Sequence, residues 1–269
     1  MLKIKILTIS TLIFNTFASY CQSDEDINFG KYIIEVLSAD SLFGRGYTND
    51  GLKKSKLFLE EEMMQLGLIP VFSNDQYTDP LVLAVNTFPK NINLKVGRKK
   101  LLTGIDFLPD ANSGKYNGKL KLQSIRIKDL ETETVLLEKV KAVLSGKYSG
   151  FLLDELALEP ALYRQYYAIG QYLTNVAPVI ILTDHKLNFS VGREQFNYPL
   201  IEINSASFKP KKKVQLSIDN QWEESFKTHN IAGKIKGKDT NRYIVLCAHY
   251  DHLGSISNEA IFNGGLAPY

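Results

Sequence analysis

Three side chains near the end of this sequence can hold a metal or move a proton: His249, Asp251 and His252. They sit in the run His249-Tyr250-Asp251-His252-Leu253-Gly254. His249 and Asp251 are two apart, so in extended chain they share a face. A carboxylate in that position fixes the tautomer and orientation of an imidazole, the usual support for a histidine that ligates a metal. A solvated charged loop is the competing reading of the same residues. Glu259 is the only other nearby acid, and nothing in the sequence places it at a metal.

The elements that must position these groups can be traced outward. Ile244 to Ala248 is apolar at every position, which predicts a strand over Tyr243–Ala248 covered on both faces, with Cys247 as a small core residue. Ligand-bearing side chains at the carboxyl end of such a strand face the crevice where α/β proteins bind ligands. Before it, Asn230 to Ile235 reads as a modest strand and 236–241 as a polar turn. Nearer the N-terminus, Phe29 to Leu37 reads as a short helix. Gly44-Arg45-Gly46 follows, and Thr48, Asn49 and Asp50 are capping candidates for a longer helix. In that helix Leu52, Leu59, Met63 and Leu66 recur at spacings of 7, 4 and 3, a helical stripe closed by Gly67 and Pro70.

Between these segments the character changes to short strands and turns. Leu94, Val96, Gly97-Arg98 and Leu101 predict a hairpin. Lys119 to Ile127 and Val135 to Leu144 read as strands, and Tyr163 to Leu173, opened near Pro160, as a tyrosine-rich helix. Val179 to Leu182, Leu200 to Ile203 and Val214 to Ile218 complete a mixed α/β module without repeats.

Two ordered blocks carry a family resemblance. Asn230-Ile231-Ala232-Gly233 and Tyr243 through Gly254, followed by Ile261-Phe262-Asn263-Gly264, resemble the co-catalytic zinc exopeptidases that include aminopeptidase Y and bacterial leucyl aminopeptidases. Leu42-Phe43-Gly44-Arg45-Gly46, Gly51, and Phe58 through Gly67-Leu68-Ile69-Pro70 look like the N-terminal helical segment of exported members. The middle module stands where many members carry a protease-associated insertion. The resemblance implies an α/β fold made of a helical segment (22–79), an inserted protease-associated-like module (80–213) and the first strands of a zinc-peptidase catalytic domain (214–269). It also implies hydrolysis of peptide or protein substrates by water activated between two Zn2+ ions. Carried over residue by residue, His249 is a zinc ligand and Asp251 the catalytic residue that orients it; His252 belongs to the motif without an assigned role.

The family's next block places a bridging aspartate just after the Asn-Gly, with a glutamate base and further ligands much later. Here Gly265 to Tyr269 follow Asn263-Gly264 and supply none of these. The expectation is a truncated or frameshifted member, or a fragment, that lacks the co-catalytic pair. A non-catalytic exported module that binds peptides or proteins is the alternative, and a mononuclear site of His249, Asp251 and His252 a third reading.

Composition sets the outer limits. The chain has 269 residues, 44% hydrophobic and 23% charged, with 32 basic and 29 acidic side chains. That is globular composition, with neither a disulfide framework in its 2 cysteines nor a nucleic-acid footprint in its net charge of +3. Residues 1–21 read as a signal peptide: Lys3 and Lys5 precede an apolar stretch of 13 residues, Ile6 to Ala18, too short for a stable membrane anchor. Export is therefore expected, to the periplasm or beyond. Removal of Lys3 and Lys5 leaves 30 basic residues against 29 acidic ones, so most of the basic bias belongs to the signal. Lys209 to Lys213 reads as a charged loop, and His185 and His229 as solvated or hydrogen-bonded histidines.

Overall fold

Helix α1 (Asp24–Leu37) begins where Ser23 and Asp26 exchange hydrogen bonds: Ser23 Oγ accepts from the Asp26 amide at 3.1 Å, and the Asp26 carboxylate accepts from the Ser23 amide at 3.0 Å. That reciprocal cap starts the helix one turn earlier than its apolar stripe predicts. Helix α2 (Gly51–Gln65) ends as expected, with Gly67 in the left-handed region at φ 70°. Its stripe is buried only at the start: Leu52 is 6% exposed, whereas Leu66 is 60% exposed. A computed structural model describes residues 23–73, 76–154, 156, 158–209, 213–239 and 241–264. The expected signal segment, most of the basic run at 209–213 and the final residues 265–269 lie outside the described residues.

The chain is an α/β protein. After α2 come β1 (Ile69–Pro70), β2 (Thr78–Thr87), β3 (Asn93–Val96), β4 (Lys99–Lys100), β5 (Phe107–Pro109), β6 (Tyr116–Leu120) and β7 (Leu122–Ile125). Helix α3 (Glu133–Leu144), β8 (Gly150–Leu153), α4 (Pro160–Leu173), β9 (Val179–Thr183), β10 (Leu200–Asn204) and β11 (Val214–Ile218) follow. The last strands are β12 (Gln221–Ile231), β13 (Gly233–Lys234), β14 (Gly254–Ile256) and β15 (Ala260–Phe262).

A five-stranded sheet of order β5-β10-β9-β8-β7, parallel except for β5, lies between two cores. Period-two alternation divides its side chains. Leu152, Ile180, Leu182, Ile201 and Ile203 join Leu94, Val214 and Leu216 of the antiparallel sheet β4-β3-β11-β6. Ile125, Phe151, Leu153, Val179 and Ile181 pack instead with Val143 of α3 and Tyr166 and Leu173 of α4. Because β11 pairs with both β3 and β6, this antiparallel sheet carries the module beyond residue 213. The expected hairpin forms, with Lys95 opposite Lys100 and Gly97 at φ 65° in the turn.

The long ribbon β2–β12 runs from Thr78 opposite Ile231 to Thr87 opposite Gln221, with a bulge between Glu223 and Phe226. The chain therefore leaves for the sheets and returns from them along paired strands. Immediately outside this ribbon, Ile69 and Pro70 pair with Lys234 and Gly233.

Three sequence expectations are corrected. Val135 to Leu144 is helix, not strand: Leu136, Val140 and Val143 recur at helical spacing and face the core, while Glu138, Lys139 and Lys141 lie between them. Lys119 to Ile127 is two strands in two sheets, parted at Lys121, whose amide and carbonyl both bond to Ser149. Tyr243–Ala248 is irregular and exposed, with Ile244 at 95%, Leu246 at 93% and Cys247 also exposed. A doubly apolar strand needs neighbours on both edges and cover on both faces; among the described residues β12 is taken by β2 and β13 by β1, and this segment joins no ladder.

By contact the chain divides into a unit up to Val36 and one from Leu37 onward. Among the described residues no helix is long and apolar enough to cross a membrane.

Candidate active site

Arg45 is the residue around which the candidate block is built. It lies in a short 3-10 turn, Asp40–Arg45, where Phe43, Gly44 and Arg45 have successive positive φ values of 47°, 62° and 49°. Two of these are not glycine, so the turn stores backbone strain that the surroundings must hold. They do so through the guanidinium, which is buried. Arg45 Nε donates to the Tyr250 carbonyl at 2.8 Å, Nη1 to the carbonyls of Leu37 and Asn263 (2.7 Å for Asn263), and Nη2 to that of Gly264 at 3.3 Å. The backbone of Arg45 takes part too, its carbonyl accepting the His252 amide at 3.1 Å.

The flanking glycines are required by close approach. A Cβ on Gly44 would lie 2.3 Å from the Gly254 carbonyl oxygen, and one on Gly46 would lie 2.2 Å from the Gly254 Cα. The Gly-Arg-Gly turn and the His252-Leu253-Gly254 segment thus meet backbone to backbone. The expected helix caps serve the same junction. Thr48 Oγ1 donates to the Ser255 carbonyl at 3.0 Å, and Asn49 Nδ2 contacts the Ser257 carbonyl and Asn258 Oδ1 at 3.3 and 3.1 Å. No side-chain cap is made at the start of α2; these residues clamp the β14–β15 hairpin instead.

Within the block, His249 Nδ1 lies 3.3 Å from Asp251 Oδ1 and 3.0 Å from the Asp251 carbonyl oxygen. A contact through Nδ1 leaves Nε2 as the nitrogen open to a metal. The imidazole is exposed and the carboxylate half-exposed. His252 is packed more closely, since a Cβ on Gly264 would fall 2.4 Å from its Cδ2. Burial, with Arg45 and His249 in support, lowers the His252 pKa against the opposing pull of Asp251. Tyr250 is pushed up to about 12, first by burial and then by Asp251, Glu60 and Tyr47, and its hydroxyl donates to the His229 carbonyl at 2.9 Å. A groove of about 470 Å³ opens beside it, lined among others by Tyr47, Lys53, Lys56, Phe226, His229 and Tyr250.

The two blocks singled out in the sequence are therefore adjacent: Gly264 lies against His252, and Asn263 and Gly264 share Arg45 with Tyr250. Glu259 is elsewhere, bonded to Asn91, Thr103 and Lys100. Arg45 itself carried no assigned role in the sequence. Its signal was the pair of flanking glycines, which marks a turn but not what the turn meets.

As a donor set, an imidazole supported at Nδ1 by a carboxylate fits one ligand of a divalent metal. A catalytic zinc takes three protein ligands, and no group of three or more His, Cys, Asp or Glu suited to a metal occurs among the described residues. These residues do not fit a complete zinc site.

No protein-family model and no curated protein matches the chain. Among solved structures it is similar to an aminopeptidase from Aneurinibacillus sp. strain AM-1, at 16% identity and a TM-score of 0.46, over 79% of this chain and 48% of that one. It is also similar to a peptidase M28 precursor from Shewanella amazonensis SB2B, at 11% identity and a TM-score of 0.42, over 76% of this chain and 53% of that one. The chain spans about half the length of these structures.

Proposed function

We propose that this chain carries part of a metal-dependent aminopeptidase of the co-catalytic zinc type, exported and acting on peptide or protein substrates. The observation that carries this reading is the His249–Asp251 contact of 3.3 Å inside a block clamped by Arg45. In it His249 would offer Nε2 to a zinc ion, and Asp251 would hold the ring in the tautomer that ligation requires. Zinc in such enzymes supplies an activated water at neutral pH. The contribution of this chain's own residues is placement: Arg45 holds the Tyr250 carbonyl, between His249 and Asp251 in the chain, and the groove beside Tyr250 offers a concavity of the size small ligands use.

The test is zinc content together with aminoacyl-nitroanilide hydrolysis by the purified chain. Well below two zinc ions per chain are expected, and His249→Ala lowers both metal content and any hydrolysis. Hydrolysis that survives His249→Ala removes this mechanism from the chain, and a stoichiometric metal pair overturns the ligand count. A second reading, a non-catalytic binding module, is favoured by where the burial lies: nearly all of both cores belongs to the sheets between β2 and β12. Full retention of peptide binding by His249→Ala, with no hydrolysis in either protein, would favour it.

A further inference from the structure

On β10, Ile201 and Ile203 enter the core shared with the antiparallel sheet, and Leu200 enters the core under α3 and α4. The same alternation turns Glu202 toward α4. A carboxylate thus stands on a face otherwise built from Leu200, Val179 and Ile181. Consecutive turns of α4 meet it and a second carboxylate. Tyr163 donates its hydroxyl to Glu202 Oε1, and Tyr167 donates to Asp110 Oδ2 at 2.7 Å, an oxygen that also accepts from Gln171 Nε2 at 3.2 Å. The two tyrosine rings are 6.1 Å apart, and His185 stands edge-on to Tyr163 at 5.1 Å.

Asp110, from the segment after β5, shares this half-buried layer with Glu202, so two carboxylates face each other's field away from bulk water. The groups that act on Glu202 are Asp110, Tyr163 and His185, and among them only His185 can carry a positive charge. Burial is the largest influence and raises the Glu202 carboxyl above its ordinary 4.5; Asp110 adds to the rise, while the Tyr163 hydrogen bond and His185 oppose it. Burial also pushes both phenols upward, which keeps them as donors.

We propose that Glu202, Asp110, Tyr163 and Tyr167 form a proton-linked clasp that holds the first half of α4 on the sheet, firm while Glu202 keeps its proton beside the Asp110 carboxylate and looser once that proton leaves. The sign follows from linkage. A carboxyl that holds its proton more tightly folded than unfolded contributes stability that is full below 4.5 and is lost as pH rises through the folded value.

The clasp is independent of the metal reading and is tested on the full chain by two measurements. Carboxyl-labelled glutamate, followed by NMR, should show Glu202 titrating above the ordinary glutamate value, and higher again in Tyr163→Phe, which removes the donor that favours the charged form. Thermal melts from pH 5 to 8 should fall for the wild type more steeply than for Glu202→Gln, which mimics the protonated acid; at pH 8 the variant should be at least as stable as the wild type. Titration of Glu202 at or below the ordinary value overturns the proposal, whether or not Glu202→Gln folds. A variant that folds but is less stable at pH 8, with the wild-type slope intact, overturns it too.

Discussion

Replacing Arg45 by alanine tests the construction of the candidate block most directly. The guanidinium donates to carbonyls of Leu37, Tyr250, Asn263 and Gly264, and only 9% of the residue is exposed. Hydrogen bonds that involve a charged partner contribute about 1.5–3 kcal/mol each, and a buried carbonyl left without a donor costs about 1–3 kcal/mol. The desolvation of the guanidinium offsets much of the gross sum. A net loss of about 3 kcal/mol, concentrated at the junction, is the resulting expectation. Since 1.4 kcal/mol is a factor of ten, local opening becomes roughly a hundredfold more frequent.

The assay is hydrogen exchange at the His252 amide, which donates to the Arg45 carbonyl, with amides of β9 and β10 as internal controls. Exchange at His252 should accelerate by about two orders of magnitude while the controls hold. Arg45→Lys should fall between, because an ammonium keeps the charge but cannot span the same spread of carbonyls with one planar fork. If His252 exchange in Arg45→Ala stays within about threefold of the wild type, the clamp is not what holds this block.

Other outcomes follow from the same contacts. Gly46→Ala brings a Cβ within 2.2 Å of the Gly254 Cα, so it should cost about 1–3 kcal/mol in a denaturant melt and speed exchange in the β14–β15 hairpin. Ile244→Lys, at a position 95% exposed, should change stability by less than about 0.5 kcal/mol; a loss of several kcal/mol would show that the segment is buried after all. The Cys247 thiol is exposed, so a thiol reagent should modify it in the native chain as fast as in denaturant, and protection would contradict the described position.

Much of the module was legible from local pattern. Val179–Thr183, Leu200–Asn204 and Val214–Ile218 are short apolar or alternating runs bounded by turns, and α4 opens at a proline that suits a first helical turn. The misreadings have particular causes. In Val135 to Leu144 the branched and apolar residues suggested a strand, but Leu136, Val140 and Val143 already had helical spacing. At Lys121 one apolar alternation served two sheets, and only the pairing of β6 with β11 and of β7 with β8 divides it. The candidate site was half legible: spacing brings His249 to Asp251, whereas nothing local joins either to Arg45.

The run 244–248, from Ile244 to Ala248, separates most clearly the two kinds of information. By itself the sequence determined what that segment is suited to, a strand apolar on both faces, and which side chains follow it. Whether it becomes a strand is a property of its neighbours, because a ladder needs hydrogen-bonding edges that come from elsewhere in the chain. Only the tertiary structure decided that β12 pairs with β2, that β13 pairs with β1, and that Ile244 lies in solvent. It likewise decided that a Gly-Arg-Gly turn some two hundred residues earlier, with a guanidinium able to reach several carbonyls at once, would gather Tyr250, Asn263 and Gly264 around itself.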